Sequence, residues 1–332
     1  MNSFGKIFKI TLFGESHGVC VGVVIDGCPE GIRLDEQTFT HDLSRRKSGV
    51  SGTTTRNETD TPEIISGIYN GFTTGAPITL LFHNQDINPT DYTPFNHFPR
   101  PGHADFVTLK KYRGFADMRG GGHFSGRLTV ALTAAGVIAK EIIKPAQITA
   151  ELVEVGGSAN IEQKVKEATQ RKDSLGGLIA CRVKELPVGV GAPFFDGLES
   201  VISHAVFAIP GIKGIAFGAG FEAASMKGSE HNDMIIDETG TTKTNHAGGI
   251  NGGISNGNEI YFRVAVKPTP SIALPQRTFN FQSKIIDTLT IEGRHDVCFA
   301  LRLPPVVEAA TAIALADLWL TEGKRKPVTI NS

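Results

Sequence analysis

A chain of 332 residues with 40% hydrophobic side chains is long enough to bury a sizeable core, as one large or two fused domains, and too apolar to be disordered. Its 33 Lys and Arg nearly balance its 34 Asp and Glu, and with one Trp and four Tyr this excludes a global basic field for nucleic acid and an aromatic stacking platform. No apolar run reaches the roughly 20 residues of a membrane span and the start lacks a signal peptide's apolar core, so a cytoplasmic protein with no membrane partner is expected.

Residues 7–13 alternate, with Phe8, Ile10 and Leu12 on one face and Lys9 and Thr11 on the other, which predicts a strand. GESHG at 14–18 breaks it, and 19–25 resumes as a second β-rich run. The turn carries Glu15, Ser16 and His17. A histidine in a glycine-flanked turn suits proton transfer, although alone it is more often a structural hydrogen-bonder. Asp35 caps a helix predicted to run to about Arg46, with Phe39 and Leu43 on one face. Its last residues, Arg45 and Arg46, and the following Lys47 suit the helix dipole and an anion clamp equally well. A hairpin follows at 67–84 and a polar loop at 85–97.

The densest chemistry lies at 100–129, RPGHADFVTLKKYRGFADMRGGGHFSGRLT. It holds His103, Asp105, Asp117, Arg119, three consecutive glycines, His123, Ser125 and Arg127. Each glycine in a regular element costs about 0.5–1 kcal/mol relative to alanine, so three together signal a close approach to the backbone. The apolar spacing of Leu128, Leu132, Ala135, Ile138 and Ile142 predicts a helix stopped by Pro145, with Ser125 as N-cap. Unpaired N–H groups at a helix start, with arginines nearby, suit a phosphate.

A strand, a polar helix at 159–170 and a strand at 178–183 come next. VIDGCPEGIRLDEQTFTHDL then finds an echo in VKELPVGVGAPFFDGLESVISHAV, and the hairpin at 67–84 finds one in GGINGGISNGNEIYFRVAVKP. One domain over 1–332, built of two similar α+β halves at about 1–145 and 146–332, is therefore expected. Hairpins with helices favour antiparallel sheets, and neither a Rossmann GxGxxG nor a Walker lysine is present. Cys20, Cys28, Cys181 and Cys298 are scattered, which indicates neither a metal site nor a disulfide framework. Arg294, His295 and Asp296 are adjacent, and 306–320, ending in Gly323, predicts a packing helix.

GESHG at 14–18, RPGHAD at 100–105, RGGG at 119–122, NHAGGINGGIS at 245–255, KPTPS at 267–271 and GRHD at 293–296 together resemble chorismate synthase, in that family's order and over nearly the whole chain. The resemblance implies a β-α-β sandwich of antiparallel sheets layered with helices, with a pseudo-twofold internal repeat, in a homotetramer. It implies a lyase that turns 5-enolpyruvylshikimate 3-phosphate into chorismate and phosphate by 1,4-anti elimination, at the last common step of the shikimate pathway to aromatic amino acids. Reduced FMN is the implied cofactor, with NADPH acting indirectly through an external flavin reductase.

By the same resemblance, His17 protonates the departing phosphate, His103 protonates the reduced flavin, and Asp296 assists removal of the ring proton through the flavin N5. Ser16 and Ser125 join the relays. His123, Phe124, Ser125, Pro210, Gly211, Gly252, Lys267, Pro268, Thr269, Pro270, Ser271 and Arg294 map onto flavin contacts, while Arg45, Arg46 and Arg127 hold the substrate phosphate or NADP. Departures from the family pattern are His123, Phe124, Leu128, Val297 in place of the usual proline, and Gly52, in a loop one residue short, where an arginine commonly stands. A non-catalytic or weakened flavin- or phosphate-binding paralogue is the alternative. A flavin oxidoreductase is a weaker third reading, because no nicotinamide-binding segment is recognisable.

Overall fold

Two antiparallel sheets of the same design enclose the hydrophobic helices. The computed structural model describes residues 1–86, 95–291, 293 and 295–323. The first half of the chain forms β1 (Ser3–Phe4), β2 (Lys9–Gly14), β3 (Cys20–Asp26), α1 (Glu36–Arg46), β4 (Glu63–Ser66), β5 (Ile68–Tyr69), β6 (Phe72–Thr73), β7 (Ile78–His83), α2 (Asp105–Lys111) and α3 (Thr129–Ile142). The second half forms β8 (Gln147–Val155), α4 (Ile161–Arg171), β9 (Gly177–Lys184), α5 (Leu198–Phe207), β10 (Ile212–Phe217), α6 (Gly228–His231), β11 (Ile250–Asn251), β12 (Ile254–Ser255), β13 (Ile260–Val266), β14 (Gln276–Asn280), β15 (Ile285–Leu289) and α7 (Pro304–Thr321).

The larger sheet runs β1-β2-β3-β7-β4 and the other β10-β13-β9-β8. Taken from β2 and from β8, the orders β2-β3-β7-β4 and β8-β9-β13-β10 are the same, with every neighbouring pair antiparallel. The two sheets thus share one strand order. α3 packs on the first sheet, α7 on the second, and the two helices pack on each other, which is the α+β sandwich that the resemblance implied.

The reason lies in their composition. α7 is buried from Pro305 to Leu320 and α3 at all but two positions, so neither has a polar stripe to offer solvent. Small residues let them meet closely: a Cβ on Gly136 would lie 2.2 Å from Ala309 Cβ. Where charges enter this layer they are paired. Glu308 accepts from Arg45 at 2.7 and 2.9 Å, from Lys140 at 2.7 Å and from the Ala150 N–H at 2.9 Å. Asp317, also on α7, accepts from the N–H groups of Lys6, Ile7 and Phe8 at 2.7 to 3.0 Å and so ties down the segment before β2.

Some elements escape sequence patterning. α2 has neither a capping side chain nor a continuous apolar stripe, and in the β14–β15 hairpin only Leu289 is buried. Among the described residues no helix is long and apolar enough to cross a membrane.

Gly136→Ala is expected to lower stability by about 1–3 kcal/mol through overpacking of α3 against α7. Urea denaturation followed by circular dichroism measures it, and an unchanged midpoint would show that the helices part freely.

Candidate active site

The three glycines fold back before the chain reaches α3. Gly120, Gly121 and Gly122 take φ of +60°, +81° and +53°, a left-handed path that other residues rarely follow. A Cβ on Gly120 would lie 2.2 Å from His17 Nδ1, and one on Gly122 would lie 1.9 Å from the Asp117 carbonyl oxygen. The Ser16 N–H donates to the Gly122 carbonyl at 3.1 Å, and His123 Nδ1 lies 2.9 Å from the Gly14 carbonyl. The close approach that the glycines signal is therefore made by the protein's own 14–18 turn, which sets Ser16 and His17 beside Gly120. Ser125 is likewise not the cap of α3 itself: it accepts from the Arg127 N–H at 3.3 Å and caps a short 3-10 turn, Gly126–Leu128, that leads into the helix.

Here a cavity of about 720 Å³ opens, within the roughly 300–1,000 Å³ of small-molecule sites. Among the described residues its lining carries seven Lys and Arg against three carboxylates, Glu58, Asp60 and Asp296. A chain of net charge −1 thus gathers positive charge in one place. Arg46 and Arg127 are buried and both hold Asp60. Arg56 donates to Glu58 at 2.7 and 3.0 Å, to Ser16 Oγ at 2.8 Å and to the Ser16 carbonyl at 2.9 Å. Arg302 donates to the Arg46 carbonyl at 3.1 Å and lies 3.4 Å from Asp296.

These contacts set protonation. Burial alone would raise the Asp60 carboxyl, but Arg46 and Arg127 outweigh it and hold it below its ordinary value. Burial draws the Arg46 guanidinium down to about 10, so it stays charged at neutral pH. His17 is buried, and burial, then Arg56 and Arg119, lower its pKa against the opposing pull of Asp117 and Glu58. His17 is accordingly neutral at pH 7.

His103 is held by a second network. Its Nδ1 lies 2.6 Å from Asp105 Oδ1, and Arg100 grips the same carboxylate with Nε and Nη2 at 2.8 Å each. Burial would raise the Asp105 carboxyl, but the Arg100 and His103 hydrogen bonds hold it well below the usual carboxylate range. With Nδ1–H on a carboxylate, Nε2 is the nitrogen left for a ligand. Arg100 also donates to Ser271 Oγ at 3.1 Å, joining this network to the KPTPS stretch.

Most of the residues implied by the resemblance meet here. His17, Ser16, His103, Asp296, Arg46, Arg127, His123, Phe124, Ser125, Pro210, Gly211, Lys267, Pro268, Thr269, Pro270 and Ser271 all line the cavity. Arg45 does not: its guanidinium is engaged by Glu308 and Asp42, while its neighbour Arg46 lines the cavity. Gly252 lies in the β11–β12 turn and is not part of the lining. Arg294 lies outside the described residues. Sequence reasoning missed Arg56, Glu58, Asp60, Arg100 and Arg302. Arg100 heads RPGHAD and Arg56 closes GVSGTTTR, but Asp60 acts only through arginines 14 and 67 positions away, and no local pattern announces that.

A model of the chorismate synthase family matches residues 8–320. A chorismate synthase of Chitinophaga pinensis is 57% identical over 332 residues, covering 100% of both chains. One of Dehalococcoides mccartyi is 45% identical, with 97% of each chain covered, and one of Korarchaeum cryptofilum is 41% identical, with 95% of this chain and 96% of that protein covered. A crystal structure of a chorismate synthase superposes with a TM-score of 0.73 at 25% identity, over 96% of this chain and 93% of that one.

Because His17 binds its proton less readily folded than unfolded, it contributes stability that is present above pH 6.5 and lost as pH falls from there through its folded value. His17→Asn should flatten that part of the curve of stability against pH, measured by urea denaturation between pH 5 and 8. An unaltered slope would mean that His17 titrates normally.

Proposed function

The chain belongs to the chorismate synthase family and is a lyase that forms chorismate; on that premise we propose that it acts on 5-enolpyruvylshikimate 3-phosphate by 1,4-anti elimination of phosphate and a ring proton, with reduced FMN bound. The observation that carries this reading is one cavity holding a neutral buried histidine, a His–Asp pair and a separate carboxylate within a surplus of guanidinium groups. The setting is the cytoplasm and the last common step toward aromatic amino acids.

The cavity suits a flavin phosphate beside a phosphorylated substrate. Arg46 Nε and Thr269 Oγ1 are buried without a hydrogen-bond partner among the described residues, and both residues line it. Lys267, Thr269 and Ser271 offer donors, and Leu12, Leu132, Ile212 and Ile313 offer an apolar face. Reduced FMN, when bound, supplies an electron-rich ring system that the redox-neutral elimination requires; it is supplied by an external NADPH-dependent reductase.

The chain's own groups then divide the work. Arg46, Arg56 and Arg127 neutralise the substrate phosphate and stabilise the charge that grows as the C–O bond breaks. A dianion beside Arg56 offsets the part of the field that depresses His17 from that side, so the imidazole takes up a proton and delivers it to the departing phosphate. Ser16, fixed by Arg56, orients that exchange, and Ser125 joins it. Asp296 receives the ring proton. His103, aligned by Asp105, holds a proton for the reduced flavin and so sets its charge state.

The departures are compatible with this reading. His123 is engaged with the Gly14 carbonyl, and Leu128 is buried as core. Phe194, Phe195 and Phe221 are 89%, 93% and 88% exposed, more apolar surface than a monomer carries comfortably, which supports a homotetramer.

An anaerobic assay with chemically reduced FMN and 5-enolpyruvylshikimate 3-phosphate should form chorismate and phosphate in equal amounts. His103→Ala should lower kcat at least a hundredfold. Flavin binding without turnover would favour the non-catalytic paralogue. Sedimentation should give a tetramer, and the double variant Phe194→Ser/Phe195→Ser should shift it to smaller species; a monomer in both would sink the assembly.

A further inference from the structure

Besides the Arg302 guanidinium at 3.4 Å, the carboxylate of Asp296 is held by a shorter tie from the backbone. Its Oδ1 accepts the Thr54 N–H at 2.8 Å, and the loop that carries Thr54 is fastened to the residues after Asp296 at one point. There the Gly52 carbonyl accepts the Val297 N–H at 2.8 Å and the Cys298 N–H at 3.2 Å. Gly52 has φ +91°, and a Cβ on it would lie 2.4 Å from Val165 Cγ1 on α4, so the loop is wedged from behind as well. Two residues beyond Thr54, Arg56 reaches Ser16. One short loop therefore spans the phosphate side of the cavity and the Asp296 side.

We propose that Gly52 and Val297 form a positioning pair for Asp296, in which the Gly52 carbonyl and the Val297 N–H fix the loop register that lets Thr54 present its N–H to the carboxylate. The proposal rests on the reading of Asp296 as acceptor of the ring proton. The two positions are also departures from the family pattern, and they touch each other. A proline at 297 would have no N–H to donate, and the larger residue usual near 52 would meet Val165. The two departures are thus one change: a tie through backbone atoms, requiring a glycine on one side and a residue other than proline on the other.

Val297→Pro removes the N–H and Val297→Ala keeps it. With reduced FMN and 5-enolpyruvylshikimate 3-phosphate, Val297→Pro should lower kcat at least tenfold, leave KM and the flavin Kd within twofold, and raise the primary deuterium isotope effect at the abstracted ring position. Val297→Ala should stay within twofold of the parent throughout. In the protein without flavin, hydrogen exchange at the Thr54 amide should quicken in Val297→Pro and not in Val297→Ala. In an Asp296→Asn background Val297→Pro should cause no further loss of kcat, because both changes act through one carboxylate. Equal losses in the proline and alanine variants, or additive losses in the Asp296→Asn background, would overturn the pair. If Asp296→Asn alone keeps full kcat, the reading of Asp296 fails, and Thr54 exchange still reports whether the tie exists. Should Val297→Pro not fold, an ester in place of the 297 amide removes the same hydrogen and is held to the same outcomes.

Discussion

Two guanidinium groups, Arg46 and Arg127, are buried around a single carboxylate, Asp60, and the site depends on that arrangement. Charges this far from water persist only when paired. Arg127 is further engaged by Glu58, Asn84 and the His83 carbonyl, whereas Arg46 Nε has no hydrogen-bond partner among the described residues, which leaves a buried donor for an anion in the cavity. Burial, and after it the nearby Arg56 and Arg119, depress His17. In the proposed reaction a bound dianion offsets the arginines' field, their part of that effect, which couples substrate binding to proton delivery by His17.

The scaffold keeps that field in register. α1 ends at Arg46, the glycine segment and the 3-10 turn place Arg127, and the loop between α1 and β4 carries Arg56, Glu58 and Asp60. α1 and the 3-10 turn pack on α3, which packs against α7, and Glu308 on α7 binds Arg45 and Lys140 in the same layer. Arg45 and Arg46 are adjacent on one helix and face opposite requirements, one tying layers together and the other lining the cavity. His103 is stiffened separately by Asp105 and Arg100, so the two histidines sit in different electrostatic settings: one loses affinity for protons, and the other has a carboxylate against its Nδ1.

The balanced charge of the chain is enough to exclude a nucleic-acid field, and its alternating strands, its capped α1 and its repeated segments are local patterns that survive in the fold. GESHG, RPGHAD, RGGG, KPTPS and GRHD are equally legible, because chemistry requires those residue types close together in the chain. They carry the family likeness and place Ser16, His17, His103, Asp296 and the 267–271 stretch in the cavity lining. Tertiary structure alone decides which of Arg45 and Arg46 meets the cavity, that the triple glycine makes room for His17, that Asp60 bridges two arginines, and that Gly52 and Val297 touch. Each of these is a contact between residues far apart in sequence, fixed by the packing of α3 on α7 and by the need to pair buried charge, and neither leaves a periodic trace in the chain.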